Sequence, residues 1–183
     1  MKKWVQVTLA LAISVPASNA LSANRPAKSP PAEQTTDSRA TKISLPEAPK
    51  PVGNYLPFVQ SGSLVFINQV ALRDGKIMHP GKLGADITDQ QAKEATKVAM
   101  LNVLAVLKEA VRGDFSKVKR CVQLTGYFNT VDGYADHPEV MNAASEIVVT
   151  FLGERGKHAR AAIGASSLPL KSPVEIQAIF EVN

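Results

Sequence analysis

Residues 156–164 read Gly-Lys-His-Ala-Arg-Ala-Ala-Ile-Gly, and residues 174–182 read Val-Glu-Ile-Gln-Ala-Ile-Phe-Glu-Val. In the second run apolar residues occupy every other position, a spacing that predicts a β-strand with one apolar face. In the first run Arg160 stands directly before small apolar residues, and the turn-forming segment 168–173 follows the run. A hairpin between the two runs would bring Arg160 and Glu175 to neighbouring ends of paired strands. From these residues alone, the pair is either a structural ion pair or part of a binding site.

The N-terminal residues have the composition of an export signal. Lys2 and Lys3 precede an apolar run over residues 4–15, and the small residues Ser18-Asn19-Ala20 follow it. The run is shorter than the ~20 residues that a membrane-spanning helix needs. We therefore predict a signal peptide over residues 1–20 and export to the periplasm, with an uncleaved membrane anchor as the alternative.

A second composition zone covers residues 21–47, which are rich in proline and lack an apolar period. Such a segment cannot bury enough apolar surface to offset the entropy lost on ordering, so it predicts a disordered tether. Residues 48–183 then form a single domain, long enough for one core.

Charge and cysteine content narrow the possible functions. The formal net charge is +5 over 183 residues, and the nearest approach to a basic patch, at residues 117–120, lacks the interleaved aromatic residues that stack on bases. Nucleic acid is therefore not an expected partner. Cys121 is the only cysteine, so no intrachain disulfide is possible. Its place in an apolar run predicts a buried side chain rather than a nucleophile.

The predicted elements follow the order ββ-α-β-α-ββ. Thr88 and Gln91 form a capping-box signal for the first helix, and Asp136 with Pro138 marks the start of the second. This order predicts an α+β domain in which both helices pack on one face of a mostly antiparallel sheet. No third helix is left to cover the other face, whose apolar residues predict self-association.

Several kinds of active site are not indicated. His79, His137 and His158 stand far apart without a second ligand at helical or turn spacing, so we expect no metal. We interpret His137 and His158 as surface or capping residues. The sequence has no glycine-rich phosphate loop or dinucleotide fingerprint, and no serine lies in a nucleophile elbow, so we expect no cofactor. Arg160 and Glu175 are the remaining candidates for a site.

The C-terminal part of the chain resembles a known family. The runs His158–Gly164, Leu168–Leu170 and Pro173–Ala178 are similar to the signature of the Rid family, also called the YjgF or L-PSP endoribonuclease family. The likeness extends over roughly residues 45–183 and includes Asn54-Tyr55 and Val140–Ala143. The resemblance implies a chorismate-mutase-like fold, assembled as a homotrimer with sites in the clefts between subunits.

The resemblance also implies imine deaminase activity, the hydrolysis of enamines or imines such as 2-aminoacrylate to a 2-keto acid and ammonia. Arg160 would bind the substrate carboxylate through two parallel hydrogen bonds, and Glu175 would orient or activate the attacking water. Tyr55 would line the cleft, with Asn142 near it. The implied partners are a small carboxylate-bearing imine or keto acid and other copies of the chain, with no membrane contact beyond the signal peptide.

Two positions depart from the family pattern. The serine of a common Ser-Gly-Gln segment is absent from Phe66–Val70, where Asn68 is the candidate polar substitute, and Ala162 stands where the best-studied branch has cysteine. These departures keep open a second hypothesis, a protein that binds small carboxylates without turnover. A third, the ribonuclease activity implied by the older family name, has no basic stripe or aromatic platform to support it.

Overall fold

A computed structural model describes residues 43–183, so the predicted signal peptide and most of the predicted tether lie outside the described residues. The element order is the one that the sequence predicts, with a short additional hairpin after the second strand. The elements are β1 (Phe58–Ser61), β2 (Leu64–Val70), β3 (Leu72–Arg73), β4 (Lys76–Ile77), α1 (Asp89–Ala110), β5 (Val118–Asn129), α2 (His137–Leu152), β6 (Ala159–Ala165) and β7 (Val174–Val182).

The main sheet has five strands in the order β1-β2-β7-β5-β6. Three of its four strand pairs are antiparallel, and only β5 with β6 is parallel. Both helices pack on one face of this sheet and share its core. The prediction of an α+β domain with a mostly antiparallel sheet and two helices on one face is confirmed.

The predicted hairpin between β6 and β7 is wrong. The two strands are not neighbours, because β5 lies between them and pairs with both. The connection over residues 166–173 is not a tight turn: it contains a short 3-10 segment, and Leu170 and Lys171 have φ angles of 57° and 56°. This longer connection passes the end of β5, whose twelve residues form the longest strand of the sheet.

The helix starts agree with the sequence in part. Thr88 Oγ1 accepts from the backbone N–H of Gln91 at 3.2 Å, and Gln91 Oε1 accepts from the N–H of Thr88 at 2.9 Å, so the capping box of α1 is confirmed. Pro138 lies in the first turn of α2 as predicted, but the Asp136 side chain makes no capping hydrogen bond. The N-terminus of α2 therefore depends on packing and proline geometry rather than on a side-chain cap.

The core forms between the two helices and the sheet face that they cover. Its fully buried large side chains include Phe128, Phe180, Leu104, Leu124 and Met141, and burial of each contributes about 1.5–3 kcal/mol relative to exposure. Cys121 is buried, as predicted, and burial raises the pKa of its thiol to about 12. The thiol is therefore un-ionised at neutral pH, which argues against a nucleophilic role.

Glycines allow α2 to approach the sheet closely. A Cβ atom at Gly126 would lie 2.6 Å from Met141 Sδ, and one at Gly156 would lie 2.4 Å from the carbonyl oxygen of Val148. Only glycine fits at such distances. These contacts place Met141 of α2 directly beside β5, and they place the turn before β6 against residues 148 and 149 of the same helix.

The other face of the sheet is partly apolar and open. Phe66 lies between Val59 and Ile179 in the register of three adjacent strands, and Phe66, Val59 and Ile163 are exposed. No helix covers this face within residues 43–183, as the sequence predicts. In the same part of the chain, no helix is long and apolar enough to cross a membrane.

Candidate functional site

Arg160 lies on the edge strand β6 and is directed towards α2. Its register partner on β5, Leu124, is fully buried against the helices, so both residues share the helix-covered face. Arg160 Nη1 donates to Asn142 Oδ1 at 2.7 Å and to Ser145 Oγ at 3.3 Å. Its Nε and Nη2 groups have no partner among residues 43–183, and the residue is exposed. One side of the guanidinium is therefore fixed by the protein, and the other is open to a ligand.

Asn142 is itself held in one orientation. Its amide nitrogen donates to Glu139 Oε2 at 3.0 Å, and Glu139 Oε1 accepts from Lys93 Nζ on α1 at 2.8 Å. The hydrogen bond from Lys93 lowers the pKa of Glu139, so its carboxylate is ionised at neutral pH and acts only as an acceptor. Because the amide nitrogen must face Glu139, the amide oxygen faces Arg160.

His158 connects the same arginine to the turn before β6. Its Nδ1 lies 2.7 Å from the carbonyl oxygen of Gly156, and its Nε2 lies 3.1 Å from Ser145 Oγ. A carbonyl oxygen can only accept, so Nδ1 carries the proton and Nε2 of the neutral ring accepts from Ser145. Burial lowers the pKa of His158, and the charge of Arg160 acts in the same direction. His158, which the sequence predicts to be a surface or capping residue, is thus half-buried and hydrogen-bonded on both ring nitrogens.

Glu175 is the second residue of β7 and lies on the open sheet face. Its register partners are Val70 on β2 and Tyr127 on β5, and its neighbour Ile176 is buried on the helix-covered side. Asn68 Nδ2 donates to Glu175 Oε1 at 3.4 Å. Asn68, which lies in the segment where the family commonly has a serine, therefore contacts the carboxylate of Glu175.

Arg160 and Glu175 are not brought together within one protomer. They are separated by β5, and they face opposite sides of the sheet, because Arg160 is paired with buried Leu124 whereas Glu175 is paired with partly exposed Tyr127. The expectation that they lie at neighbouring strand ends is wrong for a single chain. The physical reason is the position of β5 between β6 and β7, which no local pattern in the sequence predicts.

Tyr55 also lies far from Arg160, beside the opposite edge of the sheet. It precedes β1, which forms the edge opposite to β6. Its side chain is exposed, and its Oη accepts from the backbone N–H of Val52 at 3.4 Å. Of the four residues that the resemblance singles out, the fold places Arg160 and Asn142 in contact and leaves Tyr55 and Glu175 apart from them.

Three further residues belong to the arginine cluster and were not predicted as site residues from the sequence: Glu139, Ser145 and His158. Glu139, Asn142 and Ser145 recur every three residues, so they line one side of α2. That spacing is visible in the sequence. Its meaning depends on the packing of α2 against β6, which no local pattern reveals.

A groove at another place in the described residues contains none of these side chains. It has a volume of about 760 Å³ and lies between residues 44–52, the β3–β4 hairpin and α1. None of the four predicted site residues lines it. Within residues 43–183 no group of three or more His, Cys, Asp or Glu side chains is arranged to hold a metal ion.

Comparison with known proteins gives consistent matches over the same region. A family model described as "YjgF/chorismate_mutase-like, putative endoribonuclease" matches residues 37–182. Protein TCP17 of Trypanosoma cruzi is 34% identical over 143 residues, which cover 77% of this chain and 89% of that protein.

Two solved structures are similar in both fold and sequence. The protein Atu1372 of Agrobacterium tumefaciens, described as having unknown function, superposes with a TM-score of 0.74 at 38% identity, covering 79% of this chain and 91% of its own. A protein of Shewanella oneidensis MR-1, described as "a putative endoribonuclease", has the same TM-score at 32% identity, covering 79% of this chain and 97% of its own. The family match, these relatives and the observed fold agree, and the chain belongs to the YjgF/chorismate-mutase-like family, also known as the Rid or L-PSP family.

Proposed function

We propose that this protein hydrolyses small carboxylate-bearing enamines or imines to 2-keto acids and ammonia. The observation that supports the proposal most directly is the state of Arg160. Its Nη1 is fixed by Asn142 and Ser145, whereas Nε and Nη2 of this exposed residue have no hydrogen-bond partner among residues 43–183. A planar pair of donors held in this way matches the geometry of a carboxylate, which a lysine could not reproduce.

The proposed reaction needs few groups beyond this clamp. With the carboxylate on Arg160, water adds to the imine carbon, and the resulting carbinolamine releases ammonia and leaves the keto acid. Glu175 is the proposed base for the water, because Asn68 contacts only one of its oxygens and the other is free to accept a proton. The Asn68 contact also helps to fix the carboxylate in position.

The separation of Arg160 and Glu175 supports a site completed by a second copy of the chain. The two groups lie on opposite sheet faces in one protomer, so a small substrate cannot bridge them there. The exposed apolar residues Val59, Phe66 and Ile163 on the open face provide a surface for self-association. We therefore propose self-association with the substrate cleft between subunits, and the family resemblance implies that this assembly is a homotrimer.

The proposal is tested by generating an imine in place. An amino acid oxidase or a dehydratase supplies the unstable imine, and its decay is followed by trapping with semicarbazide. We expect the protein to accelerate decay, and we expect Arg160→Ala to reduce kcat/KM roughly 10- to 100-fold through loss of hydrogen bonds to a charged group. Arg160→Lys, which keeps the charge without the paired donors, serves as the matched control and should retain part of the activity. If the imine decays with wild-type protein at the same rate as in buffer alone, the proposal is contradicted.

Binding of small carboxylates without turnover is the second candidate. The observation that favours it is the segment Phe66–Val70, where Asn68 rather than serine contacts Glu175. In that case calorimetry with pyruvate would show binding that depends on Arg160, while imine decay would be unchanged by the protein. The two assays on one protein preparation therefore separate the hypotheses.

We also propose that the protein is exported. The support is the sequence of residues 1–20, which lie outside the described residues. Expression of the full chain in a Gram-negative host, followed by fractionation and N-terminal sequencing, tests the proposal. Periplasmic protein beginning at Leu21 is the expected result, and full-length protein beginning at Met1 in the cytoplasmic fraction would contradict it.

A further inference from the structure

Ser145 and His158 form a hydrogen-bonded pair that takes part in no chemical step of the proposed imine reaction. Ser145 Oγ lies 3.1 Å from His158 Nε2, and His158 Nδ1 lies 2.7 Å from the carbonyl oxygen of Gly156. The Gly156 carbonyl fixes the ring tautomer, so the unprotonated Nε2 faces the serine hydroxyl. A nucleophile, a base and a third group that orients the base are the three parts of an activated hydroxyl.

Arg160 adds a positive charge to the same hydroxyl. Its Nη1 donates to Ser145 Oγ at 3.3 Å. A serine oxygen has two acceptor positions, so one remains free to attack an electrophile after Arg160 occupies the other. The nearby charge favours an ionised oxygen on Ser145 and on any tetrahedral species bonded to it. Ser145 and His158 are both half-buried rather than enclosed, so a small molecule can reach them.

We propose that Ser145 is a nucleophile activated by His158, and that this chain has a second activity as an acyl-accepting site for short-chain esters. Ser145 lies in the middle of α2, not in a strand-to-helix nucleophile elbow. The assignment therefore rests on the contacts of the folded protein, and the sequence pattern could not have suggested it.

The steps balance without a further reactant. The Oγ–C bond forms as the serine proton passes to His158 Nε2, and the carbonyl oxygen takes the electron pair beside Arg160. The tetrahedral species then collapses, the bond from carbon to the leaving alkoxide breaks, and His158 returns its proton to that alkoxide. Water hydrolyses the acyl-serine by the same route, with His158 accepting the proton of the water.

The test uses the full chain and a fluorophosphonate ester as the probe. Attack by Ser145 forms an Oγ–P bond and releases fluoride, while the serine proton passes through His158 to solvent. We expect one adduct by intact-mass measurement, located on Ser145 by peptide mapping. Ser145→Ala should abolish labelling, and His158→Gln should slow it by about 100-fold, the contribution typical of a general base. The matched control is Thr150→Ala, an exposed hydroxyl on the same helix, which should label at the wild-type rate.

A purely structural role for the pair gives different results. No adduct on the wild type, an adduct that persists in Ser145→Ala, or full-rate labelling of His158→Gln would each overturn the proposal.

Should the His158 variant fail to fold, the pH dependence of labelling of the wild-type protein tests the proposal instead. The groups around the ring are Arg160 on β6, Ser145 on α2 and the Gly156 carbonyl. The labelling rate should rise with pH and reach half its maximum below pH 6.5. A rate that does not change with pH would show that His158 does not act as the base. Labelling does not depend on imine turnover, so failure of one activity does not decide the other.

Discussion

His158 illustrates how a single residue acquires a role from its surroundings. In the sequence it is one of three separated histidines, and its spacing indicates neither a metal site nor a catalytic dyad. In the fold it contacts Ser145 and the Gly156 carbonyl and lies beside Arg160. Burial and the neighbouring charge both favour its neutral form. The ring therefore serves as an acceptor for Ser145 at neutral pH.

The shifted pKa of His158 predicts a pH dependence of stability. The folded-state pKa lies below the unfolded value of about 6.5, so between the two values the unfolded chain binds more protons. Stability then rises with pH through this window, and the contribution of His158 is lost as pH falls through its folded-state pKa. We expect the urea midpoint of the wild type to fall more between pH 7.5 and 5.0 than that of His158→Gln. Equal losses in the two proteins would contradict the prediction.

At the scale of elements, the junction between α2 and β6 determines the arginine cluster. Gly156 lies in the turn between them. A Cβ atom added at this position would lie 2.4 Å from the Val148 carbonyl oxygen and 2.7 Å from Val149 Cα. Both atoms belong to the backbone of α2, so neither can move aside as a flexible side chain would. The carbonyl of the same glycine holds His158. Gly156 therefore allows the close approach of α2 and also fixes the ring of His158 through its carbonyl group.

Replacement of Gly156 by a larger residue should increase the distance between α2 and β6. We expect Gly156→Ala to destabilise the protein by about 1–3 kcal/mol, as overpacking in a close-packed site does. It should also weaken pyruvate binding, because α2 carries Asn142 and Ser145, which hold Arg160. Denaturant titration and calorimetry measure the two effects.

Thr150→Ala, on the exposed side of the same helix, is the control and should change stability by less than about 0.5 kcal/mol. A Gly156→Ala protein with wild-type stability would show that the close approach is not required.

The elements differed in how far the sequence could predict them. The capping residues of α1 and the alternation in β7 are local signals, and both were correct. The pairing of β6 was not predictable in the same way, because its short apolar run fits a strand that pairs with β5 as well as one that pairs with β7. Asn142 was identified through family resemblance, whereas its contacts with Arg160 and Glu139 depend on that pairing. Local patterns thus identified elements, and long-range packing determined which side chains meet.

At the scale of the whole molecule, the two halves of the proposed site lie on different surfaces. The helix-covered edge carries Arg160, and the open face carries Glu175. An open, partly apolar sheet face is a surface that association between copies would bury. Association in a ring joins unlike surfaces of neighbouring subunits, so one copy can supply the arginine and the next the carboxylate.

Complementation between two inactive variants tests this arrangement. Arg160→Ala and Glu175→Ala should each lose most imine-hydrolysing activity when purified alone. Unfolding and refolding them together in equal amounts should restore about a quarter of the wild-type activity, because in a closed ring with random mixing one interface in four receives both intact side chains. Each variant refolded alone is the control, and mixing after refolding should restore activity only as subunits exchange. If co-refolded protein shows activity no higher than the mean of the two variants, both side chains of a site come from the same chain, and β5 must allow them to reach a common substrate.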